Sequence, residues 1–473
     1  MLTSLHFLNV GERWPPKCEE NRMEMYRNNK LLFESEHAKV YEQDLKRIER
    51  VVGNFTEIVS YPVILNFQKL MSLKIADLLL GEPPQITAGD KDSKEQLTIE
   101  AIEKSSDLIN TAYQIAIDVS RYGDGLFYVR EEGGKGIIDI TQPPIWYPVV
   151  SPDNVKNIQY QVIAWTYEEG DKKYLKARIH EKGKYEERIY NIANGGLKSL
   201  VESQVIQTGL TDIAVVQVSN VTTSDRATGI DDYTDIDSII AELLVRVGQV
   251  ARILDKHASP SMSGPITALE QDETTGAWRI KAGSYFVRDA EGAPVEYITW
   301  DGQLAAAFTQ IEKLVNFLYT ISEMGSAIFG DLTTSTGQVP SGSALKRLMI
   351  SPLAKVNRIR MRFDKALKQA LMLCSQLGGK DVVDLSNVDI SILWQDGLPG
   401  DSMEDALIIE KRTSGKATMS QHRVLTQYDA MSNDDAEEEL ARIQDEESMG
   451  APIIAPPFST TPESEPPDPD NEE

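Results

Sequence analysis

Four Gly-Lys pairs, Gly134-Lys135, Gly183-Lys184, Gly379-Lys380 and Gly415-Lys416, are the nearest this chain comes to a phosphate-cradling loop. Such a loop needs spaced glycines whose N–H groups point inward, and Ser or Thr after the lysine to reach the accompanying metal. The residues that follow are Gly136, Tyr185, Asp381 and Ala417, so no copy qualifies. Gly123-Asp124-Gly125 precedes a strand-like run, whereas a nucleotide loop follows a strand and opens a helix, so a tight turn is the better reading. The five histidines, His6, His37, His180, His257 and His422, have no ligand spacing, and neither His-Glu-x-x-His nor Cys-x-x-Cys occurs. With carboxylates so numerous, no pair stands out as general acid and base. The expectation is a protein that is not an enzyme and has no catalytic residue, cofactor or bound metal.

Two other segments carry polar groups in a distinctive order. Gly330 to Gly342 reads GDLTTSTGQVPSG, almost free of large apolar side chains, with Thr333, Thr334, Ser335, Thr336 and Gln338 offering small hydroxyls and an amide. By composition it is a solvated loop. From Ser341 to Gly379 the bases are Lys346, Arg347, Lys355, Arg358, Arg360, Arg362, Lys365 and Lys368, against the single acid Asp364. Arg347, Lys355, Arg358, Arg362 and Lys365 recur at helical spacing, which predicts one basic face. Leu345, Leu348, Val356, Ile359, Phe363, Leu367, Ala370 and Leu371 predict the buried side, and Pro352 predicts a kink near the first third.

The elements around these segments form a hairpin of helices. Asp235 to Ala258 repeats apolar residues with helical periodicity behind Asp235 as N-cap, and at 1.5 Å per residue it would run roughly 36 Å. Gln303 to Phe329 repeats Phe308, Ile311, Leu314, Leu318 and Ile321 in the same way. Between them Ser259 to Gly302 is rich in Gly and Pro, with short strands at Trp278–Ile280, Ser284–Val287 and Val295–Thr299. An insert this small needs neighbours to bury it. Further helices are expected over Lys30–Val52, Val63–Leu80 and Lys94–Ser120. Strands of one meander follow at Gly125–Arg130, Gly136–Ile140, Ile145–Val150, Ile158–Thr166, Tyr174–His180 and Lys184–Tyr190. Asp389–Trp394 reads as a later strand, and Ser402–Arg412 and Ser420–Ala430 as short helices.

Composition is globular: 473 residues, 41% hydrophobic and 26% charged. Cys18 and Cys374 lie far apart and suggest no disulfide framework, so a reducing compartment is expected. The start of the chain lacks a basic region before an apolar core, and Lys69, Lys74 and Asp77 interrupt the most apolar run, so neither a signal peptide nor a membrane span is expected. The net charge of −25 is uneven, with 14 acids against Arg442 alone from Asn433 to Glu473. The end of that stretch, rich in Pro and acids, predicts a disordered tail. So acidic a chain is poorly suited to gripping DNA tightly, because duplex affinity comes mostly from neutralised phosphates.

Several stretches resemble the portal (head-to-tail connector) proteins of tailed double-stranded-DNA bacteriophages, of the siphophage type. They are RNNKLLFES at Arg27–Ser35, NFQKLMSLKIADLLLGEPP at Asn66–Pro84, RYGDGLFYVR at Arg121–Arg130, LYTISEMGSAIFG at Leu318–Gly330 and SGSALKRL at Ser341–Leu348. They keep the family's order across about two thirds of the chain.

The resemblance implies an α+β portal fold: a mixed wing domain, long stem helices, a small α/β clip insert and a helical crown. Its layout here would be a wing over 1–230, stem helices over 231–258 and 303–329, and a clip over 259–302. A tunnel loop over 330–342, the basic helix and return to the wing over 343–396, a crown over 397–447 and a disordered acidic tail over 448–473 would complete it. It further implies a homo-oligomeric ring, dodecameric in the virion, at one capsid vertex. The ring would be assembled in the host cytoplasm and would pass double-stranded DNA. Its implied partners are the terminase motor, the major capsid and scaffolding proteins and a head-completion adaptor. Thr333, Thr334, Ser335, Thr336 and Gln338 would then face the DNA channel. Lys346, Arg347, Lys355, Arg358, Arg362 and Lys365 would meet either DNA or acids on a neighbouring subunit. The other readings are a minor capsid or scaffold-like protein without an open channel, and a nuclease or nucleotide hydrolase with an unrecognised site.

Overall fold

A computed structural model of the chain describes residues 1–46, 50–52, 55–57, 63–90, 92–258, 262–265, 270–271, 278–279, 285–288, 294–297, 304–330, 346–378, 382–395, 402–414, 417–429, 431 and 433–450. It divides into two compact units, Met1–Pro399 and Gly400–Glu473.

The first unit opens with helix α1 (Glu20–Phe33). The expected helix over Lys30–Val52 is therefore displaced: the chain leaves α1 through Ser35, held at φ +67°, and continues in the single turns α2 (His37–Val40) and α3 (Glu42–Leu45). A hairpin, β1 (Arg50–Val52) with β2 (Phe55–Glu57), follows. Helix α4 (Phe67–Leu80) is capped by the Asn66 side chain, which accepts from the Lys69 N–H. Strand β3 (Gln85–Thr87) pairs antiparallel with Ser391–Leu393, tying the segment after α4 to the C-terminal part of this unit. The single helix expected over Lys94–Ser120 is two, α5 (Lys94–Ser106) and α6 (Leu108–Tyr122), separated by Asp107 in the left-handed region at φ +44°.

Leu108, Ala112, Ile115, Ala116 and Val119 line the buried face of α6, which runs against α4 and the first sheet. Gly123 ends it at φ +83°, where a Cβ would meet the backbone of Gly229 and Asp231 at 2.8 Å, so only glycine fits. The chain then enters β4 (Asp124–Glu132) and β5 (Lys135–Ile140).

The expected meander is two sheets. β4 and β5 pair with β11 (Val215–Ser219) in the order β11-β4-β5. The other sheet is an antiparallel meander of β6 (Trp146–Ser151), β7 (Asn154–Glu169), β8 (Lys172–Glu181), β9 (Lys184–Ala193) and β10 (Gly196–Gln207). β10 and β11 have no counterpart in the sequence reading. β10 is exposed along most of its length and so lacks the in-out alternation that reveals a half-buried strand.

Helix α7 (Asp237–Ala258) begins two residues after the expected Asp235. Asp231 organises the turn ahead of it, its carboxylate accepting from the Tyr233 and Thr234 N–H groups at 2.8 Å each. In the insert, Met262–Gly264 runs parallel to Tyr285–Val287 and antiparallel to Glu296–Tyr297, and Glu270–Gln271 pairs with Trp278–Arg279. Helix α8 (Leu304–Ile321) packs on α7. Helix α9 (Ile350–Gln376) is continuous through Pro352. The expected kink is absent because Pro352 is the third helical residue, where its missing N–H has no partner to lose.

The second unit contains α10 (Ser402–Thr413), α11 (Gln421–Gln427) and α12 (Asn433–Gly450). Ser420 caps α11, accepting from the Arg423 N–H.

Candidate functional site

Helices α7, α8 and α9 converge where α8 ends, on the N-terminal side of the hydroxyl-rich segment. α8 stops in a tight turn with Glu323 at φ +61° and Gly325 at φ +66°. A single 3-10 turn, Ala327–Phe329, follows; its Phe329 stacks on Tyr319 at 5.3 Å and meets the edge of Phe67 of α4 at 6.0 Å. These ring pairs fix the exit of α8 against the body.

α9 holds this turn with two bases, Lys355 and Arg358, and a third, Arg362, reaches the segment ahead of α7. Lys355 Nζ lies 2.8 Å from Asp232 Oδ1 and donates at 2.9 Å to the Ser322 carbonyl. Both partners of the ion pair are buried, and Asn220 Nδ2 donates to the same Asp232 oxygen at 2.9 Å. One turn on, Arg358 Nη2 pairs with Glu323 Oε2 at 2.5 Å. Arg362 donates to the Asn220 carbonyl and, at 3.2 Å, to that of Arg358. The end of α8 and the segment leading into α7 are thus bound to one helix. Removing one member of a buried pair of this kind costs about 3–5 kcal/mol, because the other charge is left uncompensated.

The opposite face of α9 is the body's core. Val356, Ile359, Phe363, Leu367, Ala370 and Leu371 are buried as expected, with Phe363 edge-on to Phe127 at 5.6 Å and to Trp394 at 6.1 Å.

A polar chain ties the start of α7 to α4. His37 Nε2 is 3.1 Å from Gln68 Oε1, Gln68 Nε2 donates to Tyr41 Oη at 2.9 Å, and Tyr41 Oη donates to Asp237 Oδ1 at 2.8 Å. Burial pushes the Asp237 carboxyl up to about 6, against the pull of the Tyr41 and Gln68 hydrogen bonds. A second latch uses Asp124, which is fully buried and raised by burial, with hydrogen bonds from Gln217 and the Gly229 N–H opposing that rise. The Gly229 N–H reaches both its oxygens, at 2.9 and 3.0 Å.

The basic residues singled out from sequence do not share one surface. Lys355 is buried and committed within the chain, Arg358 and Arg362 are half-buried, and Lys346, Arg347 and Lys365 are exposed. The signal was present in the spacing: Lys355 sits between Pro352 and Ile359, both inward, at the border of the apolar stripe. Asp232, Asn220 and Glu323, the partners of Lys355, Arg362 and Arg358, gave no sequence signal because each lies far from its base along the chain. Leu348, placed on the buried side by periodicity, is exposed, since it belongs to a turn ahead of α9. Thr333, Thr334, Ser335, Thr336, Gln338 and Leu345 lie outside the described residues.

Among the described residues no cluster of His, Cys, Asp and Glu could hold a metal ion, and no helix is long and apolar enough to cross a membrane. What the site offers is anchoring: the end of α8 and the segment ahead of α7 are tied to α9 by one buried ion pair, Lys355–Asp232, and one half-exposed pair, Arg358–Glu323.

The chain is thus a mixed α/β body of antiparallel sheets carrying a pair of packed helices, α7 and α8, with a small insert between them. Residues 19–452 match the family model described as "Phage portal protein, SPP1 Gp6-like", so the chain belongs to the phage portal protein family, a family of structural components of the virion's head-to-tail connector. Among solved structures, it is similar to a chain from the neck of an empty GTA particle computed with C6 symmetry. That match has a TM-score of 0.46 and 11% identity, covering 76% of this chain and 89% of that one. A chain from the virion of a native gene transfer agent (GTA) particle matches with a TM-score of 0.42 and 10% identity, covering 88% of this chain and 95% of that one. No curated protein matches.

Proposed function

We propose that this chain closes into a ring at one capsid vertex, a dodecamer in the virion, through which double-stranded DNA is packaged and later ejected. The observation that carries the ring is α8. This 18-residue helix buries only Leu318 within its own subunit, and leaves Phe308 52% and Phe317 56% exposed. A helix so apolar and so bare in one copy is covered when neighbours stand beside it. In this reading α7 and α8 are the stem, residues 259–302 the clip and 330–342 the tunnel loop. The ring nucleates capsid assembly, docks the terminase motor and afterwards receives the head-completion adaptor.

Within the loop, Thr333, Thr334, Ser335, Thr336 and Gln338 touch the duplex weakly, through hydroxyls and amides, so that DNA slides instead of being held. The salt-linked turn at Ser322–Gly325 is the fixed point from which the loop departs. The test is native mass spectrometry and microscopy of the purified protein, followed by packaging with Thr334 tethered to a neighbouring subunit through engineered cysteines. Closed rings, and empty capsids that form but fail to fill when the tether is closed, are expected. Filled particles at normal yield with the cross-link confirmed would sink the mobile-loop role, and monomers at every concentration would sink the ring.

A further inference from the structure

A recess of about 550 Å³ opens between α9 and the strands β7 and β11. Four cations line it, Lys156, Lys182, Arg362 and Lys365, against one acid, Asp212. That acid is already engaged: its oxygens lie 3.4 Å from Lys182 Nζ and accept from Gln369 Nε2 at 3.2 Å. Of the other three, Arg362 and Lys365 have no counter-ion among the lining residues, and Lys156 has only the exposed Asp225 nearby, outside the lining. Lys156 Nζ donates to the neutral Arg226 carbonyl at 2.7 Å, Arg362 donates to the carbonyls of Asn220 and Arg358, and Lys365 is exposed and has no partner among the described residues. In a chain with 73 acids and 48 bases, two uncompensated cations and a third with only an exposed acid nearby, around one concavity, form a receptor for an anion.

The walls also select what kind of anion fits. Met361, 69% exposed, and the half-buried Val155, Ile158 and Ile213 give the recess an apolar side. Three turns back along the same outer face of α9, Ile350 is 63% exposed and continues that apolar seam. A duplex is too wide to enter such a recess, and its phosphates would leave the apolar wall wet. A protein segment that carries a carboxylate beside an apolar side chain satisfies both walls at once.

We propose that this recess receives an Asp- or Glu-bearing segment of a second copy of the same chain. The inference rests on the ring reading above and adds the contact it requires: the acid surplus of each copy supplies the anion that the neighbour's α9 recess lacks. It also divides the bases of α9 by role, with Lys355 and Arg358 holding their own subunit together and Lys365, with Lys156, holding the next one.

The experiment uses DNA-free rings assembled from an equal mixture of unlabelled and nitrogen-15-labelled full-length chains. Lysine acetylation is compared between these rings and dissociated subunits, and a zero-length carbodiimide then couples amines to adjacent carboxylates for mass spectrometry. Lys156 and Lys365 are expected to lose most of their reactivity on ring formation and to give cross-links that join the two labels. Lys365→Glu is expected to weaken ring formation while leaving the circular dichroism of the subunit unchanged. Rings in which both lysines remain as reactive as in subunits, or cross-links confined to one label, overturn this proposal alone. So does protection that appears only when DNA is added, which would make the occupant a phosphate. Failure of any ring to form removes the ring reading itself and this proposal with it.

Discussion

Helices α8 and α9 are both long and amphipathic and both meet at the Ser322–Gly325 turn, yet they spend their apolar faces differently. α9 buries Val356, Ile359, Phe363, Leu367 and Leu371 inside its own subunit, where Phe363 wedges between Phe127 and Trp394. α8 buries Leu318 and leaves Phe308, Phe317 and Ile321 to solvent. The same periodicity in sequence therefore encodes two different obligations. One helix stabilises the subunit, and in the proposed ring the other is covered only when copies assemble.

The sharpest way to break this contrast is to truncate one phenylalanine on each helix. Phe363→Ala removes a fully buried ring and should lower the unfolding free energy of the isolated subunit by about 4 kcal/mol. Phe317→Ala should leave that quantity within about 0.5 kcal/mol of the parent, since surface substitutions rarely do more, while reducing the fraction of chains in rings. Urea unfolding of dissociated subunits and native mass spectrometry of the assembled protein read the two effects separately. A large subunit loss for Phe317→Ala would show that α8 is already packed within one copy.

The polar link between the helices comes next. Lys355→Met leaves Asp232 buried without its cation and should cost about 3 kcal/mol in subunit unfolding. Adding Asp232→Asn, which keeps an acceptor for Asn220 but removes the charge, should restore a large part of that loss. If the double variant is no more stable than the single one, the lysine acts through packing of its methylene stem and not through the ion pair.

How far the sequence revealed this arrangement depends on the range of the interactions. Local periodicity was enough to place α7, α8 as far as Ile321 and most of the inward face of α9, because an amphipathic helix writes its burial pattern into its own residues; the expected continuation of α8 to Phe329 failed, since Glu323 and Gly325 turn the chain at positive φ. The strands from β6 to β9 were legible instead from β-branched and aromatic runs between turn signals, since β6 is buried throughout and shows no alternation. What failed was whatever depends on a distant partner or on one backbone angle. Asp107 and Ser35 break helices by adopting positive φ, and nothing in residue type demanded that of either. β4 and β5 joined the wrong expected sheet because their partner β11 lies far along the chain. The functional meaning of Lys355 needed Asp232 and Ser322, which meet it only in three dimensions. The family resemblance was carried by ordered stretches, among them RYGDGLFYVR, whose Asp124 turns out to be a buried latch rather than part of a nucleotide site.

A smaller effect concerns pH at the root of α7. Burial raises the Asp237 carboxyl to about 6, above its unfolded value of 3.8, and Asp118 is raised to about 6 in the same way. The folded state therefore holds these protons more tightly than the unfolded chain, and their contribution to stability is present below about pH 4 and lost as pH rises towards 6. Asp237→Asn keeps the acceptor for Tyr41 without the titration. It should flatten the fall in subunit stability between pH 4 and 6 by on the order of 2 kcal/mol, read from urea midpoints across that range. An unchanged slope would mean that water reaches the carboxylate and that the root of α7 is looser than its hydrogen bonds imply.

The smallest change tests the junction where α9 begins. A proline in a helix interior costs about 3 kcal/mol, so had Pro352 kinked α9 as its sequence position predicted, replacing it with alanine would release stability of that order. In the structure it is the third residue of the helix, with no hydrogen bond to lose, and its ring is buried against the body. Pro352→Ala should then bring no gain, only a loss of about 1 kcal/mol or less, from ring atoms removed from the core and from a more flexible unfolded chain. Urea unfolding of the subunit measures the sign directly. A gain approaching the interior value would mean that α9 starts well before Ile350 and continues the helical turn at Lys346 and Arg347. That would place those two exposed bases on the same rigid rod as Lys355 and Lys365, and would extend the subunit-stabilising helix towards the hydroxyl-rich loop.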